Sequence, residues 1–395
     1  MQISPETQQF IREHQADNVR TLALQASKYP NIDMPTAITQ IAGRQIAAEK
    51  IPSWKEIEDI WYPKHLSLEQ CSSETTARYK ANLLQGGSLT DLTGGFGIDC
   101  SFIASGFQSV TYVERQEELC EIAAHNFPIL KLNHITVRNE DGIAYLKAMS
   151  PVDCIFLDPA RRNEHGGKTV AISDCEPDVT ELEELLLSKA NRVMVKLSPM
   201  LDLSLALKDL RHAQEAHILS VNNECKELLL LLGQEVPTEI PIHCVNITTK
   251  GEREEQHFVF TREQELQNEC TYTDTLKNYL YEPNSSLLKA GAFRSIATAY
   301  LVEKLHPNSH LYTSDILIAD FPGRVFRIIS QCSFNKKEIK NCLSDLKKAN
   351  LTVRNFPATV AELRKRINLP EGGDTYLFAS TLNNGQKILI RCEKA

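Results

Sequence analysis

The sequence of 395 residues lacks any run of about eighteen apolar residues, the length that a membrane-spanning helix needs. Its first residues have neither a basic start nor an apolar core, so we expect no secretory signal. Eleven cysteines are present but never as Cys-x-x-Cys, which argues against a zinc ribbon and a disulfide framework. Internal repeats and low-complexity tracts are also missing. These absences predict a cytoplasmic protein with no membrane partner, whose cysteines are mostly small core residues.

The sequence also gives little support for a metal site. His306 and His310 are four residues apart, a spacing that two ligands on a helix can have. Pro307 directly follows the first histidine, where the preceding helical pattern should end, and no third ligand is near. A solvated loop is the better interpretation, and we predict no bound metal.

The net charge of −8 conceals a basic C-terminal region. Residues 321–395 contain fourteen Lys and Arg against six Asp and Glu, whereas the other 320 residues contain 29 basic and 45 acidic groups. Lysines cluster over 336–348, and three basic residues are consecutive at 364–366. A basic C-terminal region in an otherwise acidic chain indicates that this region binds a polyanion such as nucleic acid. The alternative is a merely solvated basic face.

The pattern of apolar residues divides the chain into four regions. Residues 1–84 form an N-terminal helical region. Over 85–265 short apolar runs alternate with helical patterns, which is typical of an α/β domain with a mostly parallel sheet. Residues 266–320 are predicted to be a connector or small accessory subdomain with one helix over 291–305. The basic region, 321–395, has the strand, helix, strand, helix, strand, strand order of a small α+β domain.

Residues 89–99 are the most informative stretch. An apolar-leaning run ends in Asp91, and a loop with Gly94, Gly95 and Gly97 leads into a helical segment. A strand, a glycine turn and a helix let backbone N–H groups approach a nucleotide-like ligand closely, because no Cβ intervenes. A nicotinamide-binding fingerprint would need a third glycine where Cys100 stands, so a dehydrogenase is the weaker hypothesis.

Three further acidic positions follow the ends of the next predicted strands. Glu114 closes the second strand, where a carboxylate can accept hydrogen bonds from ribose hydroxyls. Asp141 follows the third strand, and Asp158 begins the turn Asp-Pro-Ala-Arg-Arg after the fourth. Each acid alone is more often a solvated loop residue. Their succession, one to a strand, predicts a single site at the carboxyl edge of the sheet.

These motifs resemble those of class I S-adenosylmethionine-dependent methyltransferases. The whole chain is similar to a bacterial group of RNA methyltransferases with a helical N-terminal region and a C-terminal THUMP-like domain. That closer resemblance depends on four stretches: 70–80, 158–162, and the tail elements 353–357 and 371–374. It implies a Rossmann-like methyltransferase sheet with an N-terminal helical region and a small C-terminal α+β domain. It also implies S-adenosylmethionine as cofactor, and tRNA or rRNA as a partner of the basic domain.

The resemblance further implies roles for individual residues. Asp158, Pro159 and Arg161 would form the catalytic turn that binds the acceptor group. Asp91 and the loop glycines would hold the methionine part of the cofactor, Glu114 the ribose, and Asp141 with Gly142 the adenine. The expected cofactor-binding residues are Gln70, Ser72, Ser73, Asp91, Thr93, Gly94, Gly95, Gly97, Glu114, Asp141 and Gly142.

Two departures from the family pattern limit the chemistry that can be assigned. Thr93 stands where many relatives have the first loop glycine. Arg161 replaces the aromatic residue with which N-methylating relatives stack the target base, although its guanidinium could stack a base or bind a phosphate. Uracil-C5 methyltransferases have a similar turn but need a cysteine nucleophile, for which Cys154 and Cys175 are poor candidates and Ser198 offers only a hydroxyl. The sequence therefore favours methylation of a base nitrogen.

Two other functions stay open from the sequence. One is methylation of a small molecule or a protein, with the tail as a structural cap. The other is an RNA-binding protein whose methyltransferase fold has lost activity, although the intact series of acids speaks against it.

Overall fold

The structure is a computed structural model that describes residues 3–64, 68–69, 71–161, 171–249, 251 and 254–395. The chain divides into two compact units. The first contains residues 1–216 and 226–238, and the second contains residues 217–225 and 239–395. Among the described helices, none combines the length and the apolarity that crossing a bilayer requires.

The first unit contains the N-terminal helices and most of an α/β sheet. Side-chain caps begin several of these helices; for example, the Ser73 hydroxyl accepts a hydrogen bond from the backbone N–H of Thr76. The helices are α1 (Pro5–Glu13), α2 (Val19–Leu24), α3 (Met34–Lys50), α4 (Glu74–Ala81), α5 (Ile98–Ile103), α6 (Glu117–Ile129), α7 (Gly142–Ala148), α8 (Val179–Lys189) and α9 (Leu203–Asp209). The strands are β1 (Gly86–Asp91), β2 (Phe107–Glu114), β3 (Ile135–Asn139), β4 (Val152–Leu157), β5 (Ala160–Arg161), β6 (Cys175–Glu176) and β7 (Ala190–Leu197).

Two further strands belong partly to each unit, β8 (Ala213–Val221) and β9 (Glu224–Gly233). The two residues between them, Asn222 and Asn223, both have positive φ angles, of 51° and 65°. Asparagine tolerates this left-handed conformation, and two such residues form the tight turn of a β-hairpin. These two asparagines therefore join β8 and β9 by a short turn.

The sheet of the first unit has the order β9-β7-β4-β1-β2-β3. Neighbours from β7 to β3 are parallel, whereas β7 and β9 are antiparallel. The strand β4 is buried along Cys154–Leu157, as expected where helices cover both faces of a parallel sheet. This order confirms the predicted Rossmann-like methyltransferase sheet.

The second unit contains a seven-stranded sheet in the order β13-β14-β12-β15-β18-β17-β16. Its apolar core includes Leu280, Phe326, Phe378 and Ile390, which are all fully buried. Its helices are α10 (Arg262–Gln267), α11 (Ser285–Ala290), α12 (Phe293–Tyr300), α13 (Lys336–Cys342) and α14 (Val360–Ile367). Its strands are β10 (Ile242–Thr248), β11 (Glu254–Phe260), β12 (Tyr279–Pro283), β13 (Glu303–Lys304), β14 (Tyr312–Ser314), β15 (Gly323–Ser333), β16 (Asn350–Val353), β17 (Thr375–Thr381) and β18 (Lys387–Lys394).

The predicted order of elements in the basic region is confirmed as β15, α13, β16, α14, β17 and β18. The single helix predicted over 291–305 is wrong at both ends. Gly291 caps the end of α11 with a φ of 79°, and α12 ends at Tyr300 because Leu301 adopts a left-handed conformation with φ of 52°. The residues that follow enter β13 instead.

Candidate active site

Parallel register brings the ends of four strands to one edge of the first unit's sheet. Asp91 at the end of β1 lies opposite Tyr112 of β2 and Phe156 of β4, and Glu114 lies opposite Asn139 of β3. The four acidic positions predicted from the sequence lie at the ends of these strands or in the loops that follow them. The loops surround a cavity of about 290 Å³.

Most of the predicted site residues line this cavity. The exceptions are Asp91, which lies beneath the loop, Pro159, and Ser73, which caps α4. Gln70 lies outside the described residues, and the side chain of Arg161 is also outside the described part of the chain. The lining residues among the predicted set are Ser72, Thr93, Gly94, Gly95, Gly97, Glu114, Asp141, Gly142 and Asp158.

Thr93 connects the glycine loop to the turn after β4. Its backbone N–H donates to Asp91 Oδ1 at 3.0 Å, and its hydroxyl oxygen accepts from the backbone N–H of Asp158 at 2.6 Å. A glycine at this position could not make the second contact, because it has no side chain. The departure from the family pattern therefore has a structural reason: Thr93 fixes the loop against the Asp158 turn.

Asp91 has one carboxylate oxygen without a partner. Its side chain is almost completely buried, and Oδ2 accepts no hydrogen bond from the described part of the chain. Burial raises the pKa of Asp91 well above its usual value, and the carboxylates of Asp99 and Asp158 add to this effect. A buried acceptor without a donor costs free energy, so the site favours a ligand that brings a donor or a positive charge.

Glu114 fastens the loop to β2. Its two carboxylate oxygens accept from the backbone N–H groups of Gly95, at 2.9 Å, and Gln116, at 2.8 Å. The neighbouring Tyr112 donates its hydroxyl to the carbonyl of Gly95. A Cβ on Gly94 would lie 2.2 Å from the Tyr112 ring, so only glycine fits there.

Asp141 and Gly142 also line the cavity. Asp141 caps α7, since its Oδ1 accepts from the backbone N–H groups of Ile143 and Ala144 at 3.0 and 2.9 Å. A Cβ on Gly142 would lie 2.3 Å from the carbonyl oxygen of Leu92. The close packing of these two backbones leaves no room for any other residue.

A network of buried charges occupies the Asp158 end of the cavity, and sequence reasoning missed most of it. Lys196 at the end of β7 donates to Asp158 Oδ2 and lies 3.3 Å from Asp99 Oδ2. Lys80 of α4 lies 3.0 Å from Asp99 Oδ1 and also pairs with Glu227 of β9.

The hydroxyl of Ser72 accepts from Lys80 at 3.0 Å and donates to Asp99 at 2.7 Å. Of the predicted site residues that the structure describes, only Ser72 and Asp158 belong to this network.

Within the network, the attraction between opposite charges favours the charged forms of Asp99 and Lys196 and opposes the effect of burial. Burial alone would raise the pKa of Asp99, but the ammonium groups of Lys80 and Lys196 lower it to about 2. Burial alone would lower the pKa of Lys196, but the carboxylates of Asp158 and Asp99 raise it well above the usual value. Burial raises the pKa of Asp158, and Lys196 counteracts that rise. The network is therefore a set of paired charges.

One sequence signal could have identified part of this network. Lys196 interrupts the apolar run Val193–Leu197, and Glu227 precedes the apolar run Leu228–Leu232. A charged residue within a buried strand must be paired or functional. Which charges pair depends on the tertiary structure, and it cannot be derived from the spacing.

One solved structure matches the whole chain. It is the structure named "Crystal structure of putative methyltransferase from Porphyromonas gingivalis W83", which is 33% identical over 100% of both chains, with a TM-score of 0.88. This chain belongs to the same methyltransferase family. Family models match a ferredoxin-like domain at residues 279–322 and a THUMP domain-like region at residues 323–394. The resemblance to a methyltransferase with a THUMP-like C-terminal domain is thus confirmed.

Other solved structures resemble only part of the chain. An rRNA methylase from Streptococcus thermophilus is 14% identical over 40% of this chain and 94% of its own, with a TM-score of 0.31. A methyltransferase-like protein from Streptococcus mutans, solved with SAH, is 11% identical over 41% and 97%, with a TM-score of 0.30. At such low identities and TM-scores, neither structure supports an argument about this protein. No curated protein matches the sequence.

Proposed function

We propose that this protein transfers a methyl group from S-adenosylmethionine to a nucleotide of structured RNA, either tRNA or rRNA. The observation that carries the proposal is the unpartnered Oδ2 of Asp91 beneath a glycine loop, at the same edge of the sheet as Asp158. An unpaired buried carboxylate fits a cationic ligand, and the glycine loop fits a nucleoside.

The residues around the cavity suit the parts of this cofactor. Asp91 and the loop of Gly94, Gly95 and Gly97 would hold its amino-acid end, where an ammonium group meets the buried carboxylate. Glu114 would bind the ribose and Asp141 with Gly142 the adenine. When bound, S-adenosylmethionine supplies a methyl group on a positively charged sulfur, a good electrophile for an in-line attack.

The turn of Asp158 and Pro159 would position the acceptor. Two contacts fix its geometry: the hydrogen bond from its backbone to Thr93, and the ion pair of its side chain with Lys196. The Asp158 side chain is nevertheless 38% exposed, so a substrate can reach it. Preorganisation of this kind accelerates a displacement mainly by positioning the reacting atoms.

The second unit supplies a surface for RNA. Lys336, Lys337 and Lys340 on α13 are exposed, as are Lys347 and Lys348 beyond it. Phosphate contacts from such lysines give affinity without sequence preference. The match to a THUMP domain-like region supports this role.

Nucleoside analysis tests the proposal. Purified protein is incubated with S-adenosylmethionine carrying a labelled methyl group and with tRNA or rRNA from cells that lack the gene. We expect label in RNA nucleosides with the wild-type protein and none with Asp158→Ala, although the variant still binds S-adenosylhomocysteine in calorimetry. Label in a small molecule or a protein but not in RNA would favour the alternative substrates. Cofactor binding without any transfer would indicate an inactive RNA-binding protein.

A further inference from the structure

The charges beside Asp158 bear on the atom that is methylated. Lys196 contacts both Asp158 and Asp99, and all three side chains line the cavity. An ammonium group thus lies next to the carboxylate that would face the acceptor. The two classes of acceptor, amine nitrogen and hydroxyl oxygen, respond to such a cation in opposite ways.

A neutral base nitrogen gains positive charge as it attacks a methyl group on a cationic sulfur. A neighbouring ammonium repels that charge and raises the barrier. A hydroxyl oxygen is a weak nucleophile that must lose its proton during the attack. A neighbouring ammonium stabilises the developing negative charge on oxygen, and a carboxylate within reach can accept the proton.

Aromatic side chains exposed for stacking are also missing among the described residues that line this cavity. Among the described lining residues the aromatic ones are Phe96 and Phe156, and both are buried in the core. The sequence of residues 162–170 contains no Phe, Tyr or Trp. Enzymes that modify a base hold it by stacking after turning it out of the helix, whereas a ribose hydroxyl lies on the backbone and needs no such platform.

We propose that the acceptor is the 2′-hydroxyl of a ribose in RNA, with Asp158 as the general base and Lys196 as the cation that stabilises the oxygen. This inference rests on the proposed RNA methyltransferase function and replaces the base nitrogen that the sequence favours. The 2′-hydroxyl is the free hydroxyl of an internal ribonucleotide, and DNA lacks it.

The step balances in charge and atoms. The 2′-oxygen forms a bond to the methyl carbon while its proton passes to the Asp158 carboxylate. The bond between that carbon and sulfur breaks, and its electron pair stays on sulfur, which becomes a neutral thioether. The exposed side of Asp158 then returns the proton to water. Lys196 holds its proton throughout, since Asp99 pairs with it even after Asp158 has taken the proton.

The rest of the network holds Lys196 in position. Asp99 bonds to Lys196 on one side and to Lys80 on the other, and Lys80 is anchored by Glu227. These two ammonium groups face three carboxylates, those of Asp99, Asp158 and Glu227. Because there is one carboxylate more than there are ammonium groups, Asp158 can accept a proton while each lysine still has a carboxylate as counter-ion.

Locating the label within the methylated nucleoside tests the inference. After wild-type reaction, the RNA is digested to nucleosides, and fragmentation in a mass spectrometer separates base from sugar. We expect the label on the sugar and resistance of the adjacent phosphodiester to alkaline hydrolysis. Label on the base would overturn the inference and leave the proposed function intact. No label in RNA at all would overturn the proposed function itself.

Conservative variants give a second, independent readout. An amide oxygen can accept a hydrogen bond from an amine but cannot take a proton. Asp158→Asn should therefore lower turnover about 100-fold or more if the acceptor is a hydroxyl. Lys196→Met should lose turnover while binding S-adenosylhomocysteine normally, with partial rescue in Lys196→Arg, and exposed Lys208→Met serves as the matched control. Near-normal turnover of Asp158→Asn would contradict the role of Asp158.

Discussion

Lys80 and Glu227 form an ion pair that is closed to solvent, although 147 residues separate them in the chain. The side chain of Lys80 is 0% exposed and that of Glu227 is 6% exposed. The pair joins α4, which precedes the sheet, to β9 within it. Removing one member would leave the other charged and buried, and this cost is much larger than the gain from an average ion pair.

Lys80→Met should therefore destabilise the protein by about 3–5 kcal/mol, because Glu227 loses its counter-ion. Urea unfolding followed by circular dichroism measures the change. The matched control is Lys64→Met, which breaks an exposed pair with Glu118 and should cost about 1 kcal/mol or less. The double variant Lys80→Met/Glu227→Leu should recover part of the loss. If the Lys80 and Lys64 changes lower the free energy of unfolding equally, the buried pair contributes no more to stability than an exposed pair.

Asp91→Asn should stabilise the unliganded protein and weaken its ligand binding. Burial raises the pKa of Asp91, so the folded state holds this proton more tightly than the unfolded state. The free energy of unfolding of the wild-type protein therefore falls as the pH rises above the unfolded pKa of about 4. The variant has no carboxyl group to ionise at this position, so its stability should not fall for this reason. Thermal unfolding at acidic and neutral pH measures the difference, which should grow with pH.

The same variant tests the role of Asp91 in binding. Loss of a charge-assisted hydrogen bond to the ligand should weaken S-adenosylhomocysteine binding about tenfold or more in calorimetry. Unchanged affinity would remove Asp91 from the cofactor site and leave the stability argument unaffected.

Gly142→Ala should destabilise the protein by about 1–3 kcal/mol, although alanine favours helices more than glycine does. Gly142 is the first residue of α7, and a Cβ there would lie 2.3 Å from the carbonyl oxygen of Leu92. Backbone cannot move aside as a flexible side chain can, so β1 and α7 would have to separate. Thermal unfolding checks the result, and a more stable variant would show that helix propensity outweighs the contact.

Local patterns are enough to predict the succession of strands and helices in the α/β domain and the edge of the sheet at which the acids meet. The contact of Thr93 is one that local patterns do not predict. The sequence shows this residue only as a departure from the family pattern, and its partner is the backbone of Asp158, 65 residues further along the chain. The pairing of Lys80 and Lys196 with their carboxylates is similarly non-local. Leu301 ended a predicted helix through a left-handed conformation that an apolar residue gives no reason to expect.

Replacing Lys336, Lys337 and Lys340 together by Gln should weaken RNA binding and make it less dependent on salt. Each phosphate contact that is lost lowers the slope of log affinity against log salt by about 0.7–0.9, so the three changes should lower it by about 2 to 3. Filter binding of tRNA over a salt series measures this slope. Replacement of the same number of exposed lysines elsewhere, Lys28, Lys55 and Lys208, provides the control. If both triple variants change the slope equally, α13 is no preferred RNA surface and the basic region is merely solvated.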